Sequence, residues 1–80
     1  MIRLGKETRL SGEQVLEKAI TFFGERGQGL SITERSSRHV SLEGGGGFVT
    51  VEVRHEDGAT QVDVSTREWE TQAKGFIRKL

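Results

Sequence analysis

The chain contains no cysteine, no proline and no tyrosine. Without cysteine there is no disulfide staple, no thiolate zinc site and no thiol nucleophile. That absence fits a reducing compartment. No apolar run approaches the ~20 residues that span a bilayer. The opening Met-Ile-Arg-Leu-Gly-Lys is charged and has no apolar h-region. No signal peptide is read there, a cytoplasmic location is expected, and no membrane partner is. Charge of one sign is lacking too, because 12 basic and 12 acidic residues cancel. A nucleic-acid binder concentrates basic surface, so nucleic acid is not the expected partner.

What remains is 80 residues, enough for one small globular domain over 1–80. About a quarter of them are Leu, Ile, Val or Phe, above the roughly 20% below which chains stay disordered. Glycine is the punctuation, with 11 copies and a run of four at 44–47.

Ile2 and Leu4 alternate with Arg3 and Gly5, which predicts a short strand over 2–9. Residues 11–24 read as a helix. Ser11 and Gln14 have capping-box spacing, and Val15, Leu16, Ala19, Ile20 and Phe23 form its apolar stripe. Gly24, Gly27 and Gly29 offer positions for ending it.

The middle of the chain alternates with period two. Asp57-Gly58 is the signal of a type I′ hairpin turn. With those two residues as the turn, Val53 faces Val62 and Val51 faces Val64. With 44–47 as a loop, Leu42 faces Val49 and Val40 faces Val51. With Arg35-Ser36-Ser37 as a three-residue loop, Ile32 faces Val40 and Leu30 faces Leu42. The result is a four-stranded antiparallel meander over 29–34, 38–43, 48–56 and 59–66, with one apolar face. Residues 67–80 then form a second helix. Trp69, Ala73, Phe76, Ile77 and Leu80 make one stripe, and the acidic start and basic end suit the helix dipole. Gly75 in mid-helix is expected to let the helix approach the sheet.

The expected fold is therefore α+β and two-layered, in the order β-α-β-β-β-β-α. A five-stranded antiparallel sheet, made of the short first strand plus the meander, carries two helices on one face. The first strand is expected at the edge beside the fifth.

Two segments carry a resemblance. One is the strand-to-helix entry Glu-Thr-Arg-Leu-Ser-Gly-Glu-Gln-Val-Leu at 7–16; the other is the closing helix at 68–80. With the element order, they resemble the small β-α-β4-α class of TATA-binding-protein-like topology, which is also the reduced plan of the helix-grip (START and Bet v 1-like) superfamily. The resemblance implies an apolar ligand held between sheet and terminal helix but carries over no residue; from the apolar pattern itself, Trp69, Phe76, Phe23 and Val51 are the candidates for an apolar contact or for lining such a ligand. A useful pocket of ~300 Å³, left empty, costs roughly 7 kcal/mol at ~24 cal/mol per Å³. Total stability at this size is about 5–10 kcal/mol. A filled core is expected instead. The closing run 72–80, Gln-Ala-Lys-Gly-Phe-Ile-Arg-Lys-Leu, loosely resembles the second helix of double-stranded-RNA-binding domains, but Glu68 and Glu70 stand where that family needs basic residues.

On the polar side of the sheet the expected register aligns Thr33, His39, Glu52 and Asp63 in one row, and Ser31, Ser41, Thr50 and Ser65 in the next. Glu52 opposite Asp63 is a like-charge pair that His39 and the diagonal Arg54 can offset. Two carboxylates and an imidazole suit a metal or acid–base chemistry. A flat face does not exclude water, so a solvated face with charge pairs is the preferred reading. His39, Glu52, Asp63, Arg54, Thr50 and Ser41 are then candidates for contact with a partner. His55, beside the Glu56-Asp57-Gly58 turn, points away from those carboxylates and is read as a turn-flanking residue. The close glycines at 24–29 follow a helix, whereas a phosphate loop precedes one. No serine–histidine–aspartate set and no P-loop is visible.

No cofactor, no metal and no catalysis are expected. The leading reading is a small soluble binding or interaction module, with a protein partner or self-association through the polar face or a free sheet edge. The alternatives are a small carrier of an apolar ligand, and a weak nucleic-acid binder using Arg35, Arg38, Arg54 and Arg67.

Overall fold

The computed structural model describes residues 1–80, in the order β1 (Ile2–Thr8), α1 (Gly12–Phe23), β2 (Ser31–Arg35), β3 (His39–Gly44), β4 (Gly47–Glu56), β5 (Ala59–Arg67) and α2 (Glu70–Arg78). The strands form one antiparallel sheet in the spatial order β1-β5-β4-β3-β2. Both helices lie on the same face. The α+β two-layer arrangement expected from the pattern is the one observed.

Turn chemistry sets the sheet. Asp57 and Gly58 have φ of 50° and 78°, as a type I′ turn requires. Val53 therefore faces Val62 and Val51 faces Val64. The four glycines are not a loose loop. Gly44 and Gly47 pair as strand residues, and only Gly45 and Gly46, with φ of 59° and 80°, make the turn. The register across this turn is the expected one, with Val40 facing Val51 and Leu42 facing Val49. Gly47 is fixed by a close approach, since a Cβ there would overlap the Arg67 carbonyl oxygen.

The register of β2 differs from expectation. Ile32 pairs with Leu42, not Val40, and Arg35 pairs with Val40. The loop falls at residues 36–38, one position later than expected. Ser36 N–H donates to the His39 carbonyl at 2.8 Å, and the Ser36 Oγ accepts the N–H groups of Arg38 and His39. The turn thus shifts toward residues 37–38. The extra residue is absorbed by a bulge between Ile32 and Glu34. Ile32 still lies on the helix side, but at the sheet edge and 43% exposed.

Helix α1 starts as expected. Gln14 N–H donates to Ser11 Oγ at 3.1 Å, and Ser11 N–H donates to Gln14 Oε1 at 2.9 Å. Helix α2 starts one residue after Trp69, which is its N-cap, not a member of its stripe. Gly75 does not face the sheet; a Cβ there would meet nothing within 4 Å.

The core is one cluster. It joins Val15, Leu16, Ala19 and Phe23 of α1 to Leu30, to the valines and Leu42 of β3, β4 and β5, and to Ala73 and Phe76 of α2. Each such side chain taken from water contributes roughly 1.5–3 kcal/mol for the larger aliphatics and Phe. The edge strands β1 and β2 place no residue in this cluster. No helix is long and apolar enough to cross a membrane.

Candidate functional site

Alternation along the strands divides the sheet sharply. On β4, Val49, Val51 and Val53 are buried beneath the helices, whereas Phe48, Thr50, Glu52 and Arg54 point to the other face. That face has no covering layer. Two rows cross it. Glu52 stands opposite both His39 and Asp63, and Asp63 opposite Gly5. Thr50 stands opposite both Ser41 and Ser65, and Ser65 opposite Arg3. The β2 bulge removes Thr33 and Ser31 from these rows. Ser31 pairs with Glu43, and Glu34 pairs with Ser41.

The charged side chains do not converge. Arg54 Nη2 reaches Asp63 Oδ2 at 3.6 Å, the diagonal contact that relieves the repulsion between Asp63 and Glu52. His39 turns the other way. Its Nε2 donates to Glu34 Oε1 at 2.5 Å. No group of three His, Asp or Glu side chains is arranged to hold a metal ion. The hydroxyl row is tighter, with Ser41 Oγ and Thr50 Oγ1 hydrogen-bonded at 3.0 Å. Beside it, the Arg67 guanidinium lies 5.8 Å from the centre of the Phe48 ring. The face thus combines a low strip of short hydroxyl side chains with one aromatic–arginine stack.

A serine–histidine–glutamate set occurs, which the sequence reading did not name. Ser36 Oγ lies 2.8 Å from His39 Nδ1, and His39 continues to Glu34. With Nε2 donating to the carboxylate, a neutral His39 accepts the Ser36 O–H at Nδ1. The same Oγ already accepts two backbone N–H groups, so its lone pairs are engaged. Ser36 and Glu34 are exposed, His39 is half-buried, and the set latches the β2–β3 turn. It was missed because Glu34 comes within reach of His39 only through the shifted register.

The four residues expected to line a ligand space fill it. Phe23 and Val51 are fully buried and Phe76 is 3% exposed. Phe22, Phe23 and Phe76 pack with ring centres 4.9–5.8 Å apart. Trp69 is half-buried, and its Nε1 donates to the Gly44 carbonyl at 2.8 Å. The apolar depression on this side is instead an open cleft of about 400 Å³ between the helices, floored by Phe22, Phe76 and Leu80 and rimmed by Glu17, Lys18 and Lys79.

Three of the four arginines named for nucleic acid have partners within the chain. Arg35 pairs with Glu17 of α1 at 2.7 Å, Arg54 with Asp63, and Arg67 covers Phe48. Arg38, Arg54 and the exposed His55 line one shallow cleft at the end of the β4–β5 hairpin. No protein-family model matches the chain, and no curated protein is significantly similar to it.

Proposed function

We propose that the protein is a non-catalytic protein-interaction module whose contact surface is the uncovered face of the sheet. The observation that carries this reading is the strip Ser41, Thr50 and Ser65 beside the Phe48–Arg67 stack. Short side chains let a partner surface approach closely. Aromatic residues and arginine are the types that concentrate binding energy at interface centres. The apolar-carrier alternative has less support, because the space between sheet and α2 is occupied by Phe23, Val51 and Phe76. The nucleic-acid alternative has less still, because three of its four arginines are engaged by Glu17, Asp63 and Phe48.

The test is photo-crosslinking in cells from benzoylphenylalanine placed at position 50, with a control at Thr21 on the exposed side of α1. A partner captured from 50 and not from 21 is then purified. Phe48→Ala and Thr50→Arg are expected to raise its dissociation constant about tenfold or more. Capture from position 21 alone, or an affinity unchanged by both substitutions, overturns the reading.

A further inference from the structure

Strand β1 ends the sheet on one side. In an antiparallel ladder each residue directs its N–H and C=O to the same neighbouring strand, and successive residues alternate. Val53 N–H donates to the Arg38 carbonyl at 2.9 Å. Odd residues of β4 therefore bond to β3 and even ones to β5. Glu52 and Asp63 are then a hydrogen-bonded pair, so odd residues of β5 serve β4 and even ones serve β1. Their partners on β1 are Ile2, Leu4, Lys6 and Thr8. Arg3, Gly5 and Glu7 are left with N–H and C=O directed to the free edge.

We propose that this edge pairs with the same edge of a second copy, antiparallel about a twofold axis through Gly5, so that two five-stranded sheets become one of ten. This goes beyond the interaction-module reading, which uses the uncovered face, and names a second copy as a partner at the edge.

Four observations support it. The edge is self-complementary. A twofold through Gly5 sets Arg3 directly opposite Glu7 of the second copy, twice. Within one chain neither side chain makes an ion pair, since the three pairs present involve other residues. The three outward residues on each strand exchange six backbone hydrogen bonds.

Gly5 is otherwise unexplained. Its φ is not positive, and a Cβ there would stand 3.5 Å from Asp63 Oδ1, an ordinary contact. Glycine weakens a strand interior and often marks a close approach by another backbone.

The two edges also differ. β1 keeps a continuous register over all seven residues. β2 has five, interrupted by its bulge, and its Arg35 is drawn over to Glu17. Bulges and short strands are the usual means of blunting an edge.

Finally, the helix layer reaches the free edge. α2 packs over β1 and β5, with Lys6 Nζ donating to the Ile77 carbonyl at 3.1 Å. A twofold perpendicular to the sheet keeps the α2 helices of both copies on the same face, one on each side of the new strand pair. Ile2, Leu4 and Ile77 are only half-buried in one chain, and the second copy completes their cover.

Sedimentation equilibrium on the full chain tests this. A mass twice the 8.9 kDa of one chain is expected. Gly5→Pro is expected to abolish it with an unchanged circular-dichroism spectrum, because the Gly5 N–H has no acceptor within the chain and edge proline is tolerated. Arg3→Glu and Glu7→Arg each turn two attractive cross-strand pairs repulsive and are expected to raise the dimer dissociation constant about tenfold or more. The double exchange is expected to restore it, and Ile32→Glu on the opposite edge to leave it unchanged. A monomer at about 1 mM chain, a dimer that survives Gly5→Pro, or a dimer broken by Ile32→Glu overturns the proposal. A monomer that still crosslinks its partner from position 50 fails this proposal and leaves the interaction-module reading standing. A dimer with no partner captured from position 50 does the reverse.

Discussion

The indole N–H of Trp69 donates to the Gly44 carbonyl at 2.8 Å, across 25 positions of sequence. The bond fastens the tip of the β3–β4 hairpin to the start of α2. Gly45 lies beneath the same ring, where a Cβ would come within 3.0 Å of Cζ2. The hairpin tip, the β5–α2 junction and the only tryptophan thus form one contact.

Replacing Trp69 with Phe keeps a ring but removes the donor. The expected loss is about 1–2 kcal/mol, the worth of one hydrogen bond with some packing. Urea unfolding followed by far-ultraviolet circular dichroism measures it. A change below a few tenths would show that the indole bond anchors nothing.

Two glycine-to-alanine substitutions are expected to act in opposite directions. Gly47→Ala drives a Cβ against the Arg67 carbonyl and Glu68 Cβ, and should cost more than about 2 kcal/mol through backbone displacement. Gly75→Ala places a methyl in open space and should stabilise by about 1 kcal/mol through helix propensity. Thermal unfolding of the pair checks both signs.

Ser36→Ala removes the acceptor for two backbone N–H groups in the β2–β3 turn. A loss of about 1 kcal/mol is expected, comparable with losing a capping hydroxyl. The wild-type chain should also fail to react with a fluorophosphonate at Ser36. Covalent labelling there would mean that the serine–histidine–glutamate set is a nucleophile rather than a latch.

Asp63→Asn removes both the repulsion from Glu52 and the long contact to Arg54, at 3.6 Å. The two changes oppose each other on a solvated face, so stability should shift by less than about 0.5 kcal/mol. A loss above 1 kcal/mol would point to an undetected role for the carboxylate.

The sheet was legible in the sequence wherever turn and valine pattern fixed the same register. Asp57-Gly58 alone places Val51 opposite Val64, and with the glycine run it places His39 opposite Glu52 and Ser41 opposite Thr50. The helix start at Ser11 was legible because a capping box is local. β2 was not. Its register depends on the Ser36 hydroxyl satisfying two N–H groups and on a bulge, neither of which alternation records. The position of Trp69 outside the helix was hidden for a similar reason, since its acceptor is distant in sequence. Glu34, the partner of His39, was lost with the β2 register.

The β2 bulge has a consequence for growth. A sheet with two equivalent flat margins can recruit copies on either side without limit, and the product is a ribbon. Here the margin at Ile32 is interrupted by one surplus residue, so the proposed pairing at the opposite margin would have nowhere to continue and would end at a finite particle instead of a fibre.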